Sequence, residues 1–196
     1  MARAPSVTRA LRELSRERFG NDVLWDLLDR YRRNPRPDLG DDRSTVLISG
    51  SFVEQALEDA ILTRCTDEYS DTKRDTLFGG NTPGAIGGFY NKIIVGSALG
   101  LYPKPFQDDL DAIRHIRNAF AHAKGHINFE IPQIKAACNF NIVQHFNDDK
   151  GMRSVLIEAY QKFVFVIFII VITFHFIENE QSDYRPETYP EGTILP

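Results

Sequence analysis

Asp108-Asp109-Leu110-Asp111-Ala112-Ile113-Arg114-His115-Ile116-Arg117-Asn118-Ala119-Phe120-Ala121-His122-Ala123 reads as one amphipathic helix. At 100° per residue, Ile113, Ile116 and Phe120 fall in one sector. Asp111, Arg114, Asn118 and His122 fall in the opposite sector, at spacings of three, four and four. Arg117 lies at the border, beside Leu110 and Ala121. An apolar stripe of this width has to be covered by other helices, so the stretch argues for packed helical layers. The acids at 108 and 109 suit a helix N-terminus, which predicts a start near Gln107 after a turn at Pro103 to Pro105.

The flanking sequence continues in the same style. Upstream, Asp41-Asp42-Arg43-Ser44 opens a helix to about Arg64, with Val46, Leu47, Phe52, Val53, Ala56, Leu57, Ala60 and Ile61 on one broad face. Gly79-Gly80-Asn81-Thr82-Pro83-Gly84 reads as a turn, since its glycines follow no strand that would make them a phosphate cradle. A helix over Ile86 to Leu99 stops at Gly100. Downstream, Asn128 to Phe146 is interrupted by Pro132, and a last helix is expected from about Met152 to Glu178. Near the N-terminus, residues 7–33 repeat apolar side chains at helical spacing until Asn34-Pro35-Arg36-Pro37. The expected fold is all-α, an antiparallel bundle of five to six helices with a buried apolar C-terminal helix.

Three regions are expected: an Arg-rich N-terminal helix and proline linker (1–40), a helical domain (41–180), and an extended or disordered tail (181–196) that carries three prolines. Net charge is −4, from 23 Lys and Arg against 27 Asp and Glu, with 42% hydrophobic residues. Residues 1–37 hold nine Arg and five acids, so they carry +4 and the remainder −8. Such a balance argues against nonspecific nucleic-acid binding, which draws its affinity from phosphate neutralisation. No helix-turn-helix pattern is present, so autonomous DNA binding is not expected. Cys65 and Cys138 fit neither a metal-ligand spacing nor a paired framework. Neither a metal nor another cofactor is expected. Met1-Ala2-Arg3-Ala4-Pro5 is not the start of a secretory leader, and a cytoplasmic location is the expectation. Residues 163–177 are fifteen nearly unbroken apolar residues, against the roughly 20 of a membrane span. A helix buried on every side in a bundle, or shared with a second subunit, is the expected reading, with a span the lesser alternative.

Chemistry centres on Arg117, Asn118 and His122. An imidazole can move a proton near neutral pH, and a guanidinium fork can hold a phosphate. Asn118 would orient either group. In a straight helix, however, Arg117 and His122 point about 140° apart and sit about 7.5 Å apart along the axis. Convergence would need the helix to loosen at Ala121, or a two-fold related copy, which makes a homodimer the expected assembly. The plainer reading pairs Arg117 with Glu54 or Glu58, one turn apart on the preceding long helix, and lets Asn118 and His122 bond backbone carbonyls at the helix end. Arg114 joins Glu54 and Glu58 as a candidate binding residue. Tyr90 and Lys92 are placed to line a cleft, though a solvated helix face explains Lys92 as well. His115, His126 and His145 read as surface residues, and His175 as a core histidine with satisfied nitrogens.

Arg117-Asn118-x-x-x-His122 resembles the signature of HEPN domains, small helical domains that include metal-independent ribonucleases and non-catalytic regulators. A longer stretch is similar to the mannitol operon repressor family, itself grouped with HEPN folds. It comprises Ser44 to Glu58 (STVLISGSFVEQALE), Gly87 to Ile93 (GGFYNKI), Ala98 to Leu101 (ALGL) and Asp109 to His122 (DLDAIRHIRNAFAH). The last block is the specific part. The resemblance implies an all-helical domain acting in transcriptional control or as a partner-binding module. The alternative it leaves is a metal-independent endoribonuclease of the toxin or phage-defence kind, cleaving RNA with Arg117, Asn118 and His122. The Arg-rich N-terminal helix and the very apolar last helix depart from the family pattern, which bears on partner and role more than on fold.

Overall fold

One helix, α1 (Asp42–Leu62), is the element on which the others are assembled. The computed structural model describes residues 42–65, 71–79, 84–146 and 158–182. The readings for residues 1–40, for most of the glycine turn and for the tail beyond 182 lie outside the described residues. Within them the fold is all-α: α1 is followed by α2 (Asp71–Phe78), α3 (Phe89–Ala98), α4 (Lys104–His122), α5 (Pro132–Ala137), α6 (Asn141–Phe146) and α7 (Ala159–Ser182). α1 packs against α7, α4 and α3. Three partners explain why its buried residues, which include Thr45, Val46, Ser49, Gly50, Phe52 and Val53, spread beyond a single stripe.

The sequence expects fewer elements than are found, for two local reasons. The short α2 is too polar to announce itself by periodicity. The stretch after Asn128 divides into α5 and α6, with Pro132 in the first turn of α5, where its missing N–H costs nothing. The same tolerance moves the start of α4. Pro103 is its N-cap and the helix begins at Lys104, with Pro105 inside the first turn and not in a preceding turn. Asp109 therefore sits deeper in α4, 2% exposed, and serves another helix. Its Oδ1 accepts the Asn141 N–H at 2.7 Å and its Oδ2 the Ile142 N–H at 2.9 Å, capping α6 across the chain.

α3 ends at a left-handed glycine, Gly100 (φ 69°), whose successor Leu101 donates its N–H to the Gly96 carbonyl at 3.0 Å. Gly96 itself is a point of close approach. A Cβ there would lie 2.7 Å from the Tyr102 hydroxyl, which donates to the Ile93 carbonyl at 2.7 Å.

The core is aromatic at both ends. Phe129 touches Phe120 and Phe163, each with ring centroids 5.4 Å apart, while Tyr102, Phe106 and Phe174 form a second group. Each such side chain, fully buried, contributes about 1.5–3 kcal/mol. α7 is long and apolar enough to cross a membrane by length and composition, and here it packs against α1. Its burial is one-sided: Phe163, Val166, Ile167, Ile170 and Phe174 are enclosed, whereas Phe176 is 62% exposed. His175 follows Phe174 around the helix and is exposed, so it is not a core histidine. The reason is geometric, because one layer of neighbours covers one side of a helix and successive residues turn by 100°.

Candidate functional site

α4 owes its sharp sidedness to Leu110, Ile113, Ile116 and Phe120, all at most 1% exposed. It remains helical through Ala121 and His122, so the helix does not loosen there, and the chain leaves it only at Ala123 (φ −62°, ψ 126°). A cation closes this end. Arg43 Nη2 donates to the Ala123 carbonyl at 2.9 Å and to the Gly125 carbonyl at 3.2 Å. Its neighbour Asp42, 7% exposed, accepts the Phe129 N–H at 3.0 Å. The first residues of α1 thus fix the end of α4 and the segment after it.

Arg117 points inward. Its Nη1 lies 2.9 Å from Glu54 Oε2, and its guanidinium is 5.9 Å from the centre of the Phe89 ring. The aliphatic stem runs so close to α1 that a Cβ on Gly50 would fall 2.8 Å from Arg117 Cδ. Glu54 is shared: Lys92 Nζ sits 2.6 Å from Glu54 Oε1 and 2.6 Å from Glu58 Oε1. Arg74 of α2 completes the set, at 3.3 Å from Glu58 and 2.9 Å from Asp59. Phe78 covers it, with Lys92 Nζ 5.8 Å and Arg74 Cζ 6.0 Å from its ring centre. Among the described residues, three cations and three carboxylates from α1, α2, α3 and α4 form one network of matched charge. Balance and hydrogen bonding are what make such enclosed charge tolerable.

Lys92, 3% exposed, therefore sits on no solvated face; it is the centre of the network. Sequence reading missed this because the stem of a lysine can follow an apolar face while its charge finds carboxylates elsewhere. The available signal was Glu54, Glu58 and Asp59 along one apolar helix, an acid excess that asks for cations from neighbouring elements. Gly50 gave a second, one turn before Glu54.

The remaining candidates lie elsewhere on α4, with Arg114 half-buried and Asn118 and His122 exposed. Arg114 does not reach Glu54 or Glu58. It pairs with Asp111 at 3.1 Å, lies 2.8 Å from His115 Nε2, and stacks 5.1 Å above the ring of Tyr90. Asn118 and His122 are exposed. Neither bonds a backbone carbonyl or any other group among the described residues. The structure thus brings Arg117 together with Glu54, and Glu58 to the same network through Lys92. It leaves Asn118 and His122 on a different face, one turn from each other. Among the described residues, no group of three or more His, Cys, Asp or Glu has a metal-binding arrangement.

No protein-family model, curated protein or solved structure matches this chain.

Proposed function

We propose that the chain is a regulatory or interaction module of the mannitol-repressor-like kind, acting in transcriptional control through protein contacts. The observation that carries this reading is the commitment of Arg117 to Glu54 while Asn118 and His122 stand open. A phosphate-binding arginine needs its fork free for the ligand. Here one guanidinium nitrogen already faces a carboxylate, and the stem is wedged against Gly50. An unpartnered Asn and His one turn apart on a rigid helix suit recognition of another molecule.

A second reading, a metal-independent endoribonuclease, is favoured by those same two side chains, because a general base must be accessible and unencumbered. It requires Arg117 to leave Glu54, or a second copy in a homodimer to present its arginine to His122. The two readings separate in one assay, the cleavage of mixed RNA by purified protein in EDTA, with His122→Ala as control. The regulatory reading expects no cleavage by either protein. Cleavage by the wild type alone would replace it with the nuclease. Thermal stability of His122→Ala should match the wild type in either case, since the side chain is exposed and makes no bond.

A further inference from the structure

Arg117 is only partly satisfied. Its Nη1 donates to Glu54 Oε2 at 2.9 Å, and it makes no other hydrogen bond among the described residues. A guanidinium carries further N–H donors in the same plane. The Arg117 side chain is 28% exposed, so that part of the fork is not sealed inside the fold. Tyr90 beside Arg114 and Ser97 beside Gln107 set α3 antiparallel to α4. This register brings Arg117 to the first residue of α3, with its guanidinium over the Phe89 ring.

Glu54 is the group that opposes an anion there. Residues 112–129 contain no Asp or Glu, and Glu54 is the carboxylate paired with Arg117 among the described residues. It is fixed through both oxygens, since Lys92 Nζ lies 2.6 Å from Oε1 while Oε2 faces Arg117. Without its charge, the network would keep Lys92, Arg74 and Arg117 against Glu58 and Asp59. Lys92 would retain Glu58, and Arg74 would retain Glu58 and Asp59. Arg117 would retain neither, so the unbalanced positive charge falls on Arg117. Arg114 is no substitute, because its Nε is already paired with Asp111 at 3.1 Å.

We propose that Glu54 is the specificity-determining residue of this site. Its charge keeps the phosphate backbone of RNA off Arg117, and loss of that charge turns the site into one that binds RNA. This rests on the regulatory reading above and names what enforces it. A phosphodiester competes with a carboxylate for the same guanidinium donors. Beside the fixed Glu54 it is also repelled, and salt screens partly buried charges less than exposed ones.

The test is fluorescence anisotropy with a labelled 2′-O-methyl oligouridine, which lacks the hydroxyl that cleavage would use. Full-length wild type, Glu54→Gln, Arg117→Met and the double variant are compared, with circular dichroism melts to verify folding. Glu54→Gln should bind about tenfold more tightly than the wild type, the worth of one charge-assisted contact. Its dependence on salt should steepen by about 0.7, the increment of one added phosphate contact on a single strand. Adding Arg117→Met should return both to wild-type values. Asp108→Asn removes an equal charge from the exposed pair with Lys104 and should bring no gain. Arg117→Met alone should leave the weak wild-type binding unchanged, a comparison that stands even if Glu54→Gln does not fold. A folded Glu54→Gln without gain, a gain that survives Arg117→Met, or an equal gain in Asp108→Asn would overturn the proposal. So would weaker binding by Arg117→Met alone, since Arg117 would then already serve phosphate. None of these outcomes depends on RNA cleavage, so this inference and the regulatory reading can fail separately.

Discussion

Ser49 and Gly96 show how one atom sets the fit between helices. The Ser49 hydroxyl is fully buried and has no hydrogen-bond partner among the described residues. A buried orphan hydroxyl costs free energy, so Ser49→Ala should be neutral or stabilise by up to about 1 kcal/mol in urea denaturation. Gly96→Ala should do the reverse. Alanine favours a helix by about 1 kcal/mol, but its Cβ would sit 2.7 Å from the Tyr102 hydroxyl and 3.0 Å from Leu57 Cδ1. Displacing Tyr102 also removes its bond to Ile93, and the expected net loss is about 1–2 kcal/mol, seen as a lower Tm. At this scale the sequence was partly legible. Ile113, Ile116 and Phe120 could be assigned to the core from spacing alone, because periodicity reports which side of a helix is apolar. Spacing is silent about a lysine that turns inward, as Lys92 does, since that depends on carboxylates from another element.

α4 and α6 are tied through Asp109, a contact that no local pattern could have announced. Asp109 looked like an acid placed for its own helix dipole, yet its partners are the Asn141 and Ile142 N–H groups. Asp109→Ala should loosen α6 and cost about 2–3 kcal/mol by leaving those donors unpaired. Burial raises the Asp109 carboxyl above its ordinary 3.8, outweighing the hydrogen bonds from Ile142 and Asn141 that pull it down. The folded state thus holds this proton more tightly than the unfolded chain does. Its contribution to stability is complete below pH 3.8 and is lost as pH rises through the folded value. Denaturation of wild type and Asp109→Asn across that window should show the wild type losing ground as pH increases. The opposite trend would mean that the hydrogen bonds dominate. α7 makes the complementary point: composition foretold an apolar helix, but which of its sides is enclosed depends on the number of neighbours, which composition does not encode.

For the whole molecule, the arrangement divides α4 into an inner face that holds the fold and an outer face on which Asn118 and His122 are exposed. The helical class, and the placement of Glu54 near Arg117, were readable because both follow from faces of long periodic helices. The network that surrounds them was not, because it draws Lys92 and Arg74 from α3 and α2. Functionally this matters most at Arg117, where one residue would be either a member of the fold or a ligand for phosphate. The direct measurement is a double-mutant cycle with Glu54→Gln, Arg117→Met and the pair, read as unfolding free energies. If Arg117 is held by Glu54 as the geometry indicates, the two substitutions should couple by about 1 kcal/mol or more. Additive effects, with Arg117→Met leaving stability unchanged, would show a guanidinium that is free in solution and would contradict the account.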